Sequence, residues 1–337
     1  MAWVLGVDQG GTKTEVVIAD QEGNILAFEN DRDFTDWTGE RRELRMKRIR
    51  YAADKAVRAC GIDYGQISAV AASLNGADWP FEYAVGEKNV RRTLGIQDVM
   101  HYGDCVGAMR GGIDTHGRNC AVICLGTGTN VAVQAADGRQ FVYGYYVKDR
   151  HQAGGSIGKS VFEIVLAANI GLERQTIMTE ILLKETHFDS VEKLFMAITT
   201  GVSEYDKPIR IVYKDYAWIM FEAMRRGDAV ATAFVQDFCE GLCGYVLHGA
   251  QRFGIGNDLT VVFSGGIVKV CPEIVSICSA YLSARMEGIC CVNARYEPVI
   301  GAVLYWLDRE YDYRIPARVM QRLDAQCAGR GLIRYKE

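Results

Sequence analysis

The chain has only five prolines in 337 residues and no CxxC pair. It also lacks any apolar run near the roughly 18 residues needed to cross a bilayer, which excludes a long membrane-spanning helix. Neither charge sign dominates, with 38 Lys and Arg against 42 Asp and Glu, a net charge of −4 and a pI near 5.8. That balance argues against nucleic acid or an anionic membrane surface as the main partner. Met1-Ala2-Trp3 opens without a basic region or a cleavage motif, so no signal peptide is expected. The eleven cysteines are an odd set, consistent with a reducing, cytoplasmic setting. Cys60, Cys120, Cys124, Cys278, Cys290 and Cys291 stand in apolar segments and are read as small core hydrophobes. Cys239 and Cys243 lie one helical turn apart, with His248 beyond. They lack the second ligand pair that structural zinc requires.

What is present is a well-packed composition, 49% hydrophobic, in a chain long enough for two domains of about 150 residues each. The stretch Val4 to Asp20, VLGVDQGGTKTEVVIAD, predicts a β-hairpin with a glycine-rich tip. Gly10 and Gly11 let backbone N–H groups approach an anion, and Thr12 and Lys13 add a hydroxyl and a cation. Asp8, at the end of the first strand, is placed to hold Mg²⁺ through water. An ordinary turn would also explain the glycines, and no Walker A run is present.

Along the chain, a strand from Asn24 to Glu29 precedes a polar segment containing Thr35-Asp36-Trp37. A helix from about Glu40 to Cys60 begins with Arg41, Arg42 and Arg45, read as a solvated basic face. The strand Ile67 to Leu74 leaves through Asn75-Gly76-Ala77-Asp78, a loop at the carboxyl edge of a sheet, and a helix follows Pro80. After the short strand Asp98 to Tyr102, Asp104 stands at a helix start, as an N-cap, a general base or both at once. The second half repeats the theme. Strand Ala121 to Leu125, tip Gly126-Thr127-Gly128-Thr129-Asn130, strand Val131 to Ala135 and strand Gln140 to Tyr145 mirror the opening hairpin. Helices are then expected at Ser156 to Ile170, Arg174 to Glu185, Val191 to Thr199, Asp206 to Arg226 and Asp228 to Phe253. A strand Leu259 to Phe263 runs into Ser264-Gly265-Gly266, a close backbone approach suited to a flat ring such as adenine. A helix from Glu297-Pro298 ends near Asp308, and the basic tail Tyr311 to Glu337 is read as irregular.

The set GVDQGGTKTE, GDCVGA, CLGTGTN, FSGG and EPVIGAVL, in that order, resembles the sugar kinase, heat-shock ATPase and actin superfamily. Within it the chain is most similar to the branch holding N-acetylglucosamine kinases and the BadF/BadG/BcrA/BcrD ATPase family. The resemblance implies an α/β fold of two actin-like, ribonuclease H-like domains with a nucleotide cleft between them. It implies a small domain over 1–115, a larger one over 116–310 with a helical insertion, and a tail over 311–337. The helix near 298–310 would pack back on the first domain. The implied chemistry is ATP- and Mg²⁺-dependent phosphoryl transfer to a sugar hydroxyl, O6, of an amino sugar such as N-acetylglucosamine or glucosamine, by a soluble homodimer.

Carried over position by position, Asp8 is the metal-associated aspartate and Gly10, Gly11, Thr12 and Lys13 the first phosphate loop. Gly126, Thr127, Gly128 and Thr129 form the second, Gly265 and Gly266 the adenosine motif, and Asp104 the base. Acceptor contacts fall at Thr35, Asp36, Trp37, Asn75, Gly76, Asp104 and Gly144. Two departures bear on the acceptor: Thr35-Asp36-Trp37 lacks the usual Asn, and Gln152-Ala153-Gly154-Gly155-Ser156 lacks an acidic sugar ligand. Either Asp36, Asp149 or His151 compensates, or the pocket holds a different acceptor. The alternatives are a BadF-type ATPase activator of a dehydratase, using an iron–sulfur cluster shared between subunits, and a sugar-binding relative without catalysis.

Overall fold

The computed structural model describes residues 2–201 and 211–334. It contains two five-stranded sheets of one topology. In the first, β1 (Trp3–Gln9), β2 (Thr14–Asp20) and β3 (Ile25–Asn30) form an antiparallel meander. After α1 (Arg41–Cys60), β4 (Ile67–Leu74) pairs parallel to β1, and after α2 (Pro80–Leu94), β5 (Val99–Gly103) pairs parallel to β4. The short helix α3 (Asp104–Arg110) then leads to the second sheet. There β6 (Asn119–Leu125), β7 (Thr129–Gln134) and β8 (Gln140–Val142) repeat the meander. Next come α4 (Gly154–Asn169), α5 (Met178–Thr186), α6 (Val191–Thr200), α7 (Ala217–Arg225) and α8 (Ala229–Phe253). Strand β9 (Leu259–Ser264) joins parallel to β6. The chain continues through α9 (Gly266–Val270), α10 (Glu273–Ser283) and β10 (Cys290–Asn293), which lies parallel to β9. It finishes with α11 (Pro298–Glu310) and α12 (Ala317–Gly329). Among the described residues no helix is long and apolar enough to cross a membrane.

Both central hairpins are buried on both faces, which explains their unbroken apolar runs. Alternate residues of the first sheet serve different cores. Leu5, Val7, Val16 and Ile18 face α1 and α2, while Val4, Val17, Ala69 and Ala71 face α11 and α12. In the second sheet Ala121, Ile123 and Val261 meet the helices α4 to α10, and Cys120, Val122 and Val262 meet α3. Helix α3 follows the first sheet yet packs on the second, and α11 follows the second yet packs on the first.

These two exchanged helices also pack on each other. A Cβ on Gly301 of α11 would overlap the Gly107 carbonyl of α3, and one on Gly107 would overlap the Ser73 side chain. Close to that crossing, Arg110 of α3 grips Asp308 of α11 with two charge-assisted bonds, Nε to Oδ2 at 2.7 Å and Nη2 to Oδ1 at 3.0 Å. Both side chains are buried.

Several expectations need correction. The tail is not irregular: Val319, Leu323 and Cys327 bury one face of α12 under Trp306. Its 3.6-residue spacing was masked by the surrounding charges. β10 went unseen because it is four residues long and half-exposed, and Cys290 on it is exposed rather than core. Helix α5 starts at Met178, not Arg174, since the Ile177 N–H is taken by the Asp228 carboxylate at 2.9 Å. The strand expected to reach Tyr145 stops at Val142, with a 3₁₀ turn over Gly144–Tyr146. Of the helix expected over Asp206 to Arg226, residues 206–210 lie outside the described residues, and its visible part begins at Ala217.

Removing one partner of a buried pair strands the other charge. Asp308→Ala is therefore expected to lower the unfolding free energy by about 3–5 kcal/mol in urea titrations followed by circular dichroism. Glu163→Ala, which breaks an exposed pair with Lys159 (3.1 Å), should cost about 0.5 kcal/mol or less. Equal losses would contradict the role given to Arg110 and Asp308.

Candidate active site

The strand ends of both sheets open on one cleft of about 1210 Å³. Its walls hold Asp8, the tip Gly10 to Lys13, Asn75, Gly76, Asp104, the tip Gly126 to Thr129, Gly144, Gly265 and Gly266. Every residue of the sequence-derived set is thus brought to this cleft except Thr35, Asp36 and Trp37. Those three are exposed and do not line it: Asp36 pairs with Lys47 at 3.1 Å, and Trp37 packs edge-on against Phe34. Asp149 and His151 are also off the cleft, His151 being buried against Tyr245.

Each glycine tip closes on itself. The Gly10 N–H donates to the Lys13 carbonyl at 3.0 Å, and the Gly126 N–H to the Gly128 carbonyl at 2.9 Å. The second tip is braced by Gln152, whose Oε1 accepts the Thr129 N–H at 2.8 Å, so the residue that departs from the family pattern has structural work here. Gly265 turns at φ +114°, and a Cβ there would overlap the Leu125 carbonyl at the end of β6. Only glycine permits that approach.

Charge is divided across the cleft. On one side stand Asp78 and Asp104. Burial, and then the neighbouring Asp78 carboxylate, raise Asp104 to about 6, against hydrogen bonds from the Cys105 N–H (2.8 Å) and the Asn130 amide. Burial likewise raises Asp78, which accepts from the Asn130 amide at 3.0 Å. The Asn130 carbonyl oxygen in turn accepts the Gly144 N–H at 2.9 Å. A Cβ on Gly144 would overlap the Asp78 carboxylate, and Gly144 lies at φ +34°. Arg45 crosses above them, donating to Gln9 Oε1 at 3.1 Å and to the Asn75 carbonyl.

On the other side Lys13 lies 2.7 Å from Glu15 and 3.7 Å from Glu297. Glu297 also meets Lys269 at 2.9 Å and Arg334 at 3.9 Å. Burial alone would raise Glu297, but Arg334, Lys13 and Lys269 outweigh it and hold it below the usual carboxylate range. Asp8 sits directly across β1 and β2 from Glu15. Burial first, and Glu15 second, hold Asp8 well above the usual range. Two facing carboxylates beside a polyphosphate-sized space are a donor set that suits a hard divalent cation. The Asn75 Oδ1 and Thr129 Oγ1 atoms are buried with no hydrogen-bond partner in the protein, as expected of atoms awaiting a ligand.

Sequence reasoning missed several of these residues. Asp78 stood in a loop already marked as ligand-facing, and Glu297 in a motif already singled out, so both had a signal. Arg41, Arg42 and Arg45 line the cleft, whereas the sequence suggested a solvated face. Helical spacing cannot tell solvent from a ligand cavity. Arg334, in the tail, carried no signal at all.

An N-acetyl-D-glucosamine kinase of Dictyostelium discoideum is 21% identical over 322 residues, covering 90% of this chain and 97% of its own. Among solved structures, a protein of Chromobacterium violaceum provisionally assigned as an N-acetylglucosamine kinase matches with a TM-score of 0.64. It is 17% identical and covers 90% of this chain and 98% of its own. A ROK family glucokinase of Streptomyces griseus, solved with glucose and AMPPNP, matches with a TM-score of 0.56 at 16% identity, covering 90% and 99%. These likenesses establish the actin-like ATPase fold. Residues 5–305 match the BadF/BadG/BcrA/BcrD ATPase family, and with nearly the whole described fold inside that span the chain belongs to this family.

Proposed function

We propose that this ATP-dependent carbohydrate kinase transfers the γ-phosphoryl group to O6 of an amino sugar such as N-acetylglucosamine or glucosamine, with Asp104 as general base. The observation that carries the reading is the meeting of both glycine tips with one carboxylate, Asp104, in a single cleft, where burial pushes it up to about 6. A carboxylate raised to just below neutrality is largely ionised there and is a stronger base than an ordinary carboxylate. The kinase descriptions of the relatives support the same reaction class.

Phosphoryl transfer asks mainly for positioning and charge neutralisation. In this reading the tips Gly10 to Lys13 and Gly126 to Thr129 hold the polyphosphate from two sides through the N–H groups not spent on closing the tips, those of Gly11 to Lys13 and of Thr127 and Gly128, and Gly265-Gly266 leaves flat room for adenosine. Asp8 and Glu15 would hold Mg²⁺, which supplies neutralisation of phosphate charge. Asn75, Gly76, Gly144, Asp78 and Asn130 surround the acceptor hydroxyl, and Asp104 takes its proton. Asp78 stands in for the acidic ligand missing at Ala153-Gly154. Closure of the lobes, read as 1–115 and 116–310, excludes competing water.

Three measurements check this. ADP release should be stimulated by one amino sugar in a panel with glucose and buffer alone, and Asp104→Asn should reduce it by about 10²–10⁴-fold. Steady release indifferent to sugar would instead favour an ATPase activator. Because Asp104 acts ionised, kcat/KM should be flat above neutrality and fall with pH below about 6. Asp78→Asn removes a neighbouring negative charge and should move that acid limb to lower pH. Gly144→Ala, forced into a left-handed backbone against Asp78, should raise KM for the sugar while KM for ATP stays within about twofold.

A further inference from the structure

The tail returns to the cleft by a defined path. After α12, Gly331 turns at φ +68° and Leu332 buries in the core shared with Trp306 and Val299. The Glu297 N–H then donates to the Leu332 carbonyl at 2.9 Å, and the Arg334 N–H to the Arg295 carbonyl at 2.7 Å. Tyr296 and Ile333 form an antiparallel bridge between them. α12 is clamped to the same segment, since Asp324 accepts from Arg295 at 3.2 Å and from the Tyr296 hydroxyl. Arg334 is thereby fixed at the cleft by backbone bonds rather than left on a loose end.

Its side chain is only 7% exposed. Nη1 donates to the Ser264 hydroxyl at 2.6 Å, just ahead of Gly265-Gly266. Nε is buried with no hydrogen-bond partner, and Glu297 Oε1 at 3.9 Å is too far to satisfy it. A buried guanidinium with an open N–H is costly unless an anion completes it. Glu297 is the ion-pair partner of Arg334, but it is shared with Lys269 and Lys13 and makes no hydrogen bond to Nε, so it meets the guanidinium only in part. The guanidinium lines the same cleft as both glycine tips and lies within the electrostatic reach of Asp8 and of Cys124 near the end of β6.

We propose that Arg334 is a nucleotide-site residue: it directs its open N–H at the polyphosphate of the bound nucleotide, so that docking of the C-terminal tail completes the ATP site. This rests on reading the cleft as an ATP site. The tail thus has a functional role, and α12 with Asp324 acts as the mount that holds Arg334 in place.

The test is calorimetric titration of the full-length protein, without sugar, using ATP, ADP and adenosine against wild type, Arg334→Met and Arg334→Lys. Arg334→Met keeps most of the side-chain bulk and is expected to weaken ATP and ADP at least tenfold, with adenosine unchanged within twofold, and Arg334→Lys to recover part of the loss. In turnover, KM for ATP should rise and KM for the sugar stay put. Equal losses for adenosine and ATP would overturn the proposal, since they would mark a structural role. So would unchanged ATP affinity in Arg334→Met. Should Arg334→Met fail to fold, Asp324→Asn, which loosens the mount while leaving Arg334 itself intact, must weaken ATP over adenosine for the proposal to stand. Failure of wild type itself to bind ATP would instead sink the reading on which this rests.

Discussion

The exchange of two helices between two sheets is the constraint on which the molecule depends. α3 leaves the first sheet and packs on the second, and α11 does the reverse. They approach so closely at Gly107 and Gly301 that no side chain fits between, and Arg110 and Asp308 fasten the crossing from within. Two of the motifs that carry the family resemblance, GDCVGA and EPVIGAVL, therefore also form a contact surface. Without that crossing the two glycine tips would belong to separate bodies, and no cleft would set Asp104 against them. The buried ion pair also fixes orientation, because a bidentate guanidinium tolerates little rotation.

The cleft floor is polarised by the same arrangement. Asp78 and Asp104 stand together with Arg45 nearby, and burial raises both carboxylates. A few strands away Lys13, Lys269 and Arg334 crowd round Glu297. A substrate that gives up a proton belongs beside the first group, and one that brings negative charge beside the second. The direction of phosphoryl transfer in the proposed reaction follows from that division, from the cation-rich side toward the carboxylate pair.

Much of this was legible along the chain. Strand, glycine tip and strand occur twice, and Asp104 follows a short strand directly. Local periodicity and turn chemistry suffice to recover such elements, since they depend on residues within a few positions of one another. What failed was long-range. Arg41, Arg42 and Arg45 show the same spacing whether they face water or a cavity. Thr35-Asp36-Trp37 has ligand-like chemistry, yet Lys47 and Phe34 draw it to the surface. β10 is short, the apolar spacing of α12 is hidden among charges, and the burial of α12 comes from partners far away in sequence.

The sequence by itself determined the duplicated α/β plan, the two glycine-rich tips and a carboxylate at a sheet edge, because each is written in adjacent residues. Only the tertiary structure decided which charges share a space. Asp78 beside Asp104, Glu15 opposite Asp8, and Arg334 at the cleft beside Ser264 are set by strand register and by the packing of α11 and α12. The field at a site depends on distances in space, and chain order does not carry those.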